Sequence, residues 1–122
     1  MKINGLIEVI LYVQEMNQQV SFYRDILGFA IEYPADLEDY SNEFWVVLNT
    51  GVCKLALHGG GEQRLGDDAP KLVFGVDEIN AARDALLQQG VTVSEVRTPA
   101  PGVSVVDALD PEGNKFSVES HG

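Results

Sequence analysis

Residues 6–13, LIEVILYV, are almost continuously apolar and rich in β-branched side chains, a pattern that predicts a strand. The period then changes. In NQQVSFYRDILGF (17–29), Val20, Tyr23 and Leu27 recur at helical spacing with Phe22 and Ile26 beside them. A helix is expected there, capped by Asn17 and stopped by Gly28, with Tyr23 serving packing rather than chemistry. Strands follow at 29–33 (FAIEY), 43–49 (EFWVVLN) and 52–58 (VCKLALH), the first two separated by the acidic loop PADLEDYSN. After the Gly-rich stretch GGGEQRLGDDAP (59–70) the order repeats. KLVFGV (71–76) reads as a strand and DEINAARDALLQQ (77–89) as a helix. Asp77 would cap that helix, Ile79, Ala82 and Leu86 share one face, and Gly90 ends it. VTVSEV (91–96), VSVVDAL (103–109) and NKFSVES (114–120) read as strands, the last two joined by the turn residues DPEG.

The halves align with a constant offset of 63: YVQEMN lies over GVDEIN, and CKLALHG (53–59) over FSVESHG (116–122). Recurrence of strand–helix–strand–strand–strand marks an internal repeat. One half alone leaves a sheet face uncovered, so two are expected to form one curved mixed sheet with a concave cleft and the helices outside. The expected class is α+β, two tandem βαβββ modules. Residues 1–122 read as a single domain, with halves 1–58 and 70–122 joined by a flexible linker at 59–69. The Gly-rich stretch lacks a GK[ST] ending and a flanking helix, so it is no phosphate loop.

Composition narrows the function. A formal net charge of −11 over 122 residues argues against binding nucleic acid or an anionic membrane. No apolar run approaches a membrane span, and the N-terminus lacks a small-residue cleavage site. The single Cys53 excludes an internal disulfide and is expected to be an inert, buried thiol facing a helix. A cytoplasmic location is expected.

Two motifs carry a resemblance. VSFYRDILGF (20–29) and DPEGNKF (110–116) are similar to the helix and turn signatures of the vicinal oxygen chelate superfamily, which includes glyoxalases, extradiol-type dioxygenases and bleomycin-resistance proteins. The likeness covers almost the whole chain. It implies a homodimer and, in the metal-binding members, four ligands from the first and last strands of each half. Here those positions are Glu8, Lys54, Lys71 and Ser117. Strand alternation places Ile10, Tyr12, Ala56, His58, Val73 and Glu119 on the same faces, and together these ten residues are the expected ligand-binding set.

The quartet is poor in metal donors. A protonated lysine has no lone pair, and serine is a weak neutral ligand. No metal and no cofactor are therefore expected. A shifted site using Glu8, His58 and Glu119 is an alternative, although His58 lies about 13 Å along its strand from Lys54. Catalytic residues are not identifiable; the candidates are Glu8, Lys54 and Lys71, with the lysines expected to pair with Glu8. Tyr12 either donates a hydrogen bond to a ligand or lines the wall, and Trp45 is either core or wall. His58 and His121 are expected at the rim. The resulting reading is a metal-free protein holding a small, partly apolar molecule. The alternative is an enzyme: a metal-dependent lyase or dioxygenase with a shifted site, or a metal-free acid/base catalyst using Glu8 and a lysine.

Overall fold

The computed structural model describes residues 1–2, 4, 6–62 and 69–122. The chain forms two compact units, Met1–Gln63 and Arg64–Gly122. In the first, strand β1 (Glu8–Tyr12) is followed by helix α1 (Met16–Ser21), which runs into one π-helical turn at Phe22–Ile26. Strands β2 (Ala30–Tyr33), β3 (Trp45–Asn49) and β4 (Lys54–His58) complete it. The second unit contains β5 (Leu72–Gly75), α2 (Ile79–Gln88), β6 (Arg97–Ala100), β7 (Val103–Leu109) and β8 (Lys115–His121). Both sheets are four-stranded, ordered β1-β4-β3-β2 and β5-β8-β7-β6. In each, the first strand runs parallel to the last and the other pairs are antiparallel. The two expected βαβββ modules of an α+β fold are present.

Alternation along the strands builds each core. Val13, Leu55 and Leu57 are buried together with Met16 and Val20 of α1. Tyr23, in the π turn, is fully enclosed, as packing demands. In the second unit Ile79 and Leu86 of α2 are buried with Val106, Ala108, Phe116 and Val118.

Several local expectations need correction. Asn17 is not a cap: it lies inside α1, and its Oδ1 accepts the backbone N–H of Tyr40 at 2.9 Å. The Tyr40 hydroxyl donates to the Pro34 carbonyl at 2.9 Å, so the acidic loop is anchored from within. Helix α2 begins two residues after Asp77, behind an N-cap residue, Glu78, that makes no side-chain capping bond. The stops at Gly28 and Gly90 hold, at φ 86° and 77°. VTVSEV does not form a regular strand. It makes one bridge, Val93 to Ala108, and Ser94 takes over as a clamp: its N–H bonds the Asp107 carbonyl at 2.8 Å and its Oγ accepts the Asp107 N–H at 2.9 Å. The pairing strand is instead RTPA, an exposed edge where Pro99 costs no interior ladder bond. Cys53 is half-buried just before β4 rather than enclosed against a helix.

The Gly-rich connection is partly built into the first unit. Gly59 N–H bonds the Phe44 carbonyl at 2.9 Å and Gly61 N–H bonds the Val13 carbonyl at 3.0 Å. Positions 63–68 of the expected linker lie outside the described residues.

The repeat is real, but its offset is not constant. Val13 N–H bonds the His58 carbonyl, and Val76 N–H bonds the Glu119 carbonyl, both at 2.9 Å. With Val13 set on Val76, His58 falls on Glu119, so the last strands are offset by 61 rather than 63. Lys54 then matches Lys115, and Ala56 matches Ser117. A slip of two residues keeps every side chain on its face, which is why alternation did not reveal it.

Candidate functional site

In the first unit β1 and β4 run in register, with Glu8 beside Lys54, Ile10 beside Ala56 and Tyr12 beside His58. These side chains share the face opposite α1. Ile10 and Tyr12 are exposed, Glu8, Lys54 and His58 half-buried, and Ala56 buried. Register neighbours are not bonded neighbours here. The Lys54 amine donates to Asn49 Oδ1 at 2.9 Å and pairs with Glu32 at 3.3 Å, both on the side away from Glu8. A shift in the β2–β3 register between Ile31 and Tyr33 accompanies this choice. Among the described residues, Glu8 forms no ion pair with Lys54.

The other end of this face is aromatic. Trp45 lies opposite His58 in the β3–β4 register, which resolves its ambiguity in favour of this face. Around the His58 ring stand Tyr12 at 4.9 Å, Phe44 at 5.9 Å and Trp45 at 6.1 Å between centroids. His58 Nδ1 lies 2.6 Å from the Gly59 carbonyl, so that nitrogen carries the proton and Nε2 is the acceptor of the neutral ring. Tyr12 and Phe44 are 59% and 65% exposed, more than a fold-stabilising cluster requires. Sequence reasoning missed Phe44 altogether. Its signal was the run FWVVL, apolar on both faces, which left the register undecided.

In the second unit Val73 pairs with Ser117 and Gly75 with Glu119, while Ser117 in turn faces Asp107 on β7. Lys71, just ahead of β5, donates to Asp107 Oδ1 at 3.2 Å. Because β8 lies between β5 and β7, that bridge spans β8, and Ser117 is left only 1% exposed. Arg97 adds a two-point contact to Asp107, through Nε at 2.8 Å and Nη2 at 3.2 Å. The Arg97 hydrogen bond holds the Asp107 carboxyl below the usual carboxylate range, opposed by partial burial and assisted by Lys71. Glu119 accepts from His121 Nε2 at 2.8 Å. Val73 is 51% exposed.

The four positions inherited from the metal-binding pattern therefore do not fit a divalent ion. Two are ammonium groups already bonded to carboxylates of their own module, and Ser117 is a buried hydroxyl with no charge. The shifted alternative fares no better, since Glu8 and His58 stand at opposite ends of paired strands. Among the described residues no three His, Cys, Asp or Glu side chains converge.

Two sequential βαβββ modules, each with its first and last strands paired in parallel, define the class of paired-module α+β proteins. The family follows from the sequence itself. Residues 5–118 match the Glyoxalase/Bleomycin resistance protein/Dioxygenase superfamily, and the chain belongs to it. No curated protein matches. Among solved structures, a putative glyoxalase family protein from Bacillus anthracis superposes with a TM-score of 0.78 at 18% identity, covering 100% of this chain and 98% of that one. The antibiotic binding protein TnmS3 from Streptomyces sp. CB03234 gives 0.73 at 19% identity, with 100% and 99% covered. A lactoylglutathione lyase from Agrobacterium tumefaciens gives 0.74 at 19%, with 98% and 96% covered. At these identities the likeness speaks for the fold.

Proposed function

We propose that this protein binds a small, partly apolar molecule without a metal ion, on the sheet face that carries Tyr12, Phe44, Trp45 and His58. The observation that carries the reading is the state of the inherited ligand positions: the Lys54 amine is bonded to Asn49 and Glu32, and the Lys71 amine to Asp107. An ammonium fixed by a carboxylate supplies local polarity but no lone pair for a metal. The neighbouring exposed rings offer a planar ligand stacking and edge contacts, each worth about 0.5–1.5 kcal/mol beyond area burial. The His58 Nε2 acceptor adds one directional contact. That a protein of this fold is an antibiotic binder accords with the reading. A cytoplasmic homodimer of single-domain chains, as the family resemblance suggests, completes it.

Trp45 is the only tryptophan, so its fluorescence reports on this face. Titration with the neutral aromatic 2-naphthol is expected to quench it saturably, equally with and without EDTA, and Tyr12→Ala and Phe44→Ala are expected to weaken the binding. About one Zn, Ni, Fe or Mn per purified chain, or binding abolished by EDTA, would overturn the proposal.

A further inference from the structure

Residues 59–61 leave β4 as a run of three glycines and are bonded on both sides. Gly59, which is buried, donates its N–H to the carbonyl of Phe44, the residue ahead of β3, at 2.9 Å. Gly61 donates to the carbonyl of Val13, the residue after β1, at 3.0 Å. The closest contacts here are made where side chains are missing. A Cβ on Gly59 would lie 3.3 Å from Phe44 Cγ and 3.4 Å from its Cδ2. A Cβ on Gly60 would lie 3.4 Å from Cε1 and 3.5 Å from Cζ of the same ring. The Phe44 ring therefore runs lengthwise along the Gly59–Gly60 backbone, its near end over one glycine and its far end over the next.

Only that side of the ring is covered. Phe44 is still 65% exposed, and its edge contact with His58 sets it 5.9 Å from the imidazole at 76°. An exposed phenylalanine loses rotamer freedom when a ligand fixes it, which weakens binding. A ring already laid on backbone has given up part of that freedom beforehand and presents a flat, open face.

We propose that Gly59 and Gly60 are positioning residues of the ligand site: they back the Phe44 ring so that its outer face is preorganised for a flat aromatic ligand, a role that rests on the aromatic face being that site. The glycines act through Phe44 and not on the ligand. Any side chain at 59 drives the ring off its seat and spoils the contact.

The test is the 2-naphthol titration of Trp45 fluorescence, run on the full chain and on Gly59→Ala, Phe44→Ala and the double variant. Gly59 is the residue to change because Gly60 sits at φ 85°, where alanine would be strained whatever the ring does, and Gly59 does not. Gly59→Ala is expected to weaken 2-naphthol about threefold and Phe44→Ala about tenfold, within the range that one ring contact spans. The double variant is expected to bind like Phe44→Ala alone, since no ring is left to position; a glycine needed only for folding would weaken it further. Without ligand, the Hα resonances of Gly59 and Gly60 are expected upfield in the native chain, under the ring current of Phe44, and back at ordinary values in Phe44→Ala. Equal resonances in those two chains overturn the proposal whether or not Gly59→Ala folds. Gly59→Ala binding as tightly as the native chain, or the two substitutions weakening binding additively, overturns the positioning role and leaves the aromatic site standing. A native chain that does not bind 2-naphthol overturns the site and this role with it.

Discussion

The turn that feeds β8 invites a quantitative test through Asp110→Ala. Asp110 is only 5% exposed. Its Oδ1 accepts the backbone N–H groups of Glu112 and Asn114, each at 2.9 Å, and the Asn114 side chain donates to Oδ2 at 2.9 Å. Alanine keeps the two backbone bonds of the turn, Gly113 N–H to the Asp110 carbonyl and Asp110 N–H to the Asn114 carbonyl. It strands the two N–H groups that the carboxylate held. A buried orphaned donor costs about 1–3 kcal/mol. Pro111 and Gly113 are exposed, so water reaches part of the turn and the lower half of that range applies. The expected loss is about 2–3 kcal/mol, or near 10 °C in Tm for a chain of this size. Asp110→Asn retains an acceptor oxygen and should cost about 1 kcal/mol. Urea unfolding followed by far-UV circular dichroism measures both. A loss below about 0.5 kcal/mol for alanine, or an equal loss for asparagine, would refute the reasoning. Trp45 fluorescence adds a second readout from the other unit. If 1–122 unfolds as one domain, as proposed, its midpoint falls in step; an unmoved fluorescence midpoint sinks the single-domain reading.

Gly61→Ala would place a Cβ 2.9 Å from the Val13 nitrogen and 3.0 Å from the Tyr12 carbonyl carbon, against backbone that has nowhere to yield. A loss of about 1–3 kcal/mol in thermal unfolding is expected, and an unchanged Tm would contradict the contact. The Asp107 carboxyl, with its folded pKa lowered chiefly by Arg97, contributes stability that is complete above its unfolded value near 3.9 and lost as pH falls through the folded one. Its side chain is 39% exposed, so the contribution is about 1 kcal/mol or less, and the gap between wild type and Asp107→Asn should shrink from pH 6 to pH 2; a constant gap would show the ion pairs to be inert. Ser117→Glu, which adds a carboxylate at one of the four ligand positions that the resemblance implies, puts a second anion in register with Asp107 at a buried site. It should cost about 2–4 kcal/mol without creating metal affinity, and stoichiometric zinc binding by this variant would reinstate the inherited site.

What was legible in the sequence was whatever local periodicity encodes. The strands at VSVVDAL and NKFSVES, the positive-φ stops at Gly28 and Gly90, and the DPEG turn are set by residues within one turn or strand of themselves. The Asn17 cap failed because its side chain takes a partner that only tertiary structure supplies, Tyr40, 23 residues away; Asp77 failed because α2 starts at Ile79, with Glu78 at the N-cap. VTVSEV failed for a different reason. Its alternation is strand-like, but Ser94 satisfies the Asp107 backbone with a side-chain oxygen, so the ladder there is replaced rather than extended.

The site was legible by face and not by partner. Parity put Glu8, Ile10, Tyr12, Lys54 and His58 on one sheet face, and the register agrees. Which carboxylate an amine selects depends on strands remote in sequence. Lys54 turns toward β2 and β3, and Lys71 reaches across β8 to Asp107 on β7, 36 residues away. The two-residue slip in the repeat bears on the second of these choices. Ala56 and Ser117 become equivalent, both small and both at most 1% exposed, each at an inner position of the last strand of its module. A small side chain there leaves room for a long one from a flanking strand to cross, as Lys71 does over Ser117. Ser117 is a neutral, buried hydroxyl at that inner position. It is the low point over which an ion pair is laid, and a carboxylate in its place would collide with the charge arrangement that this module uses instead.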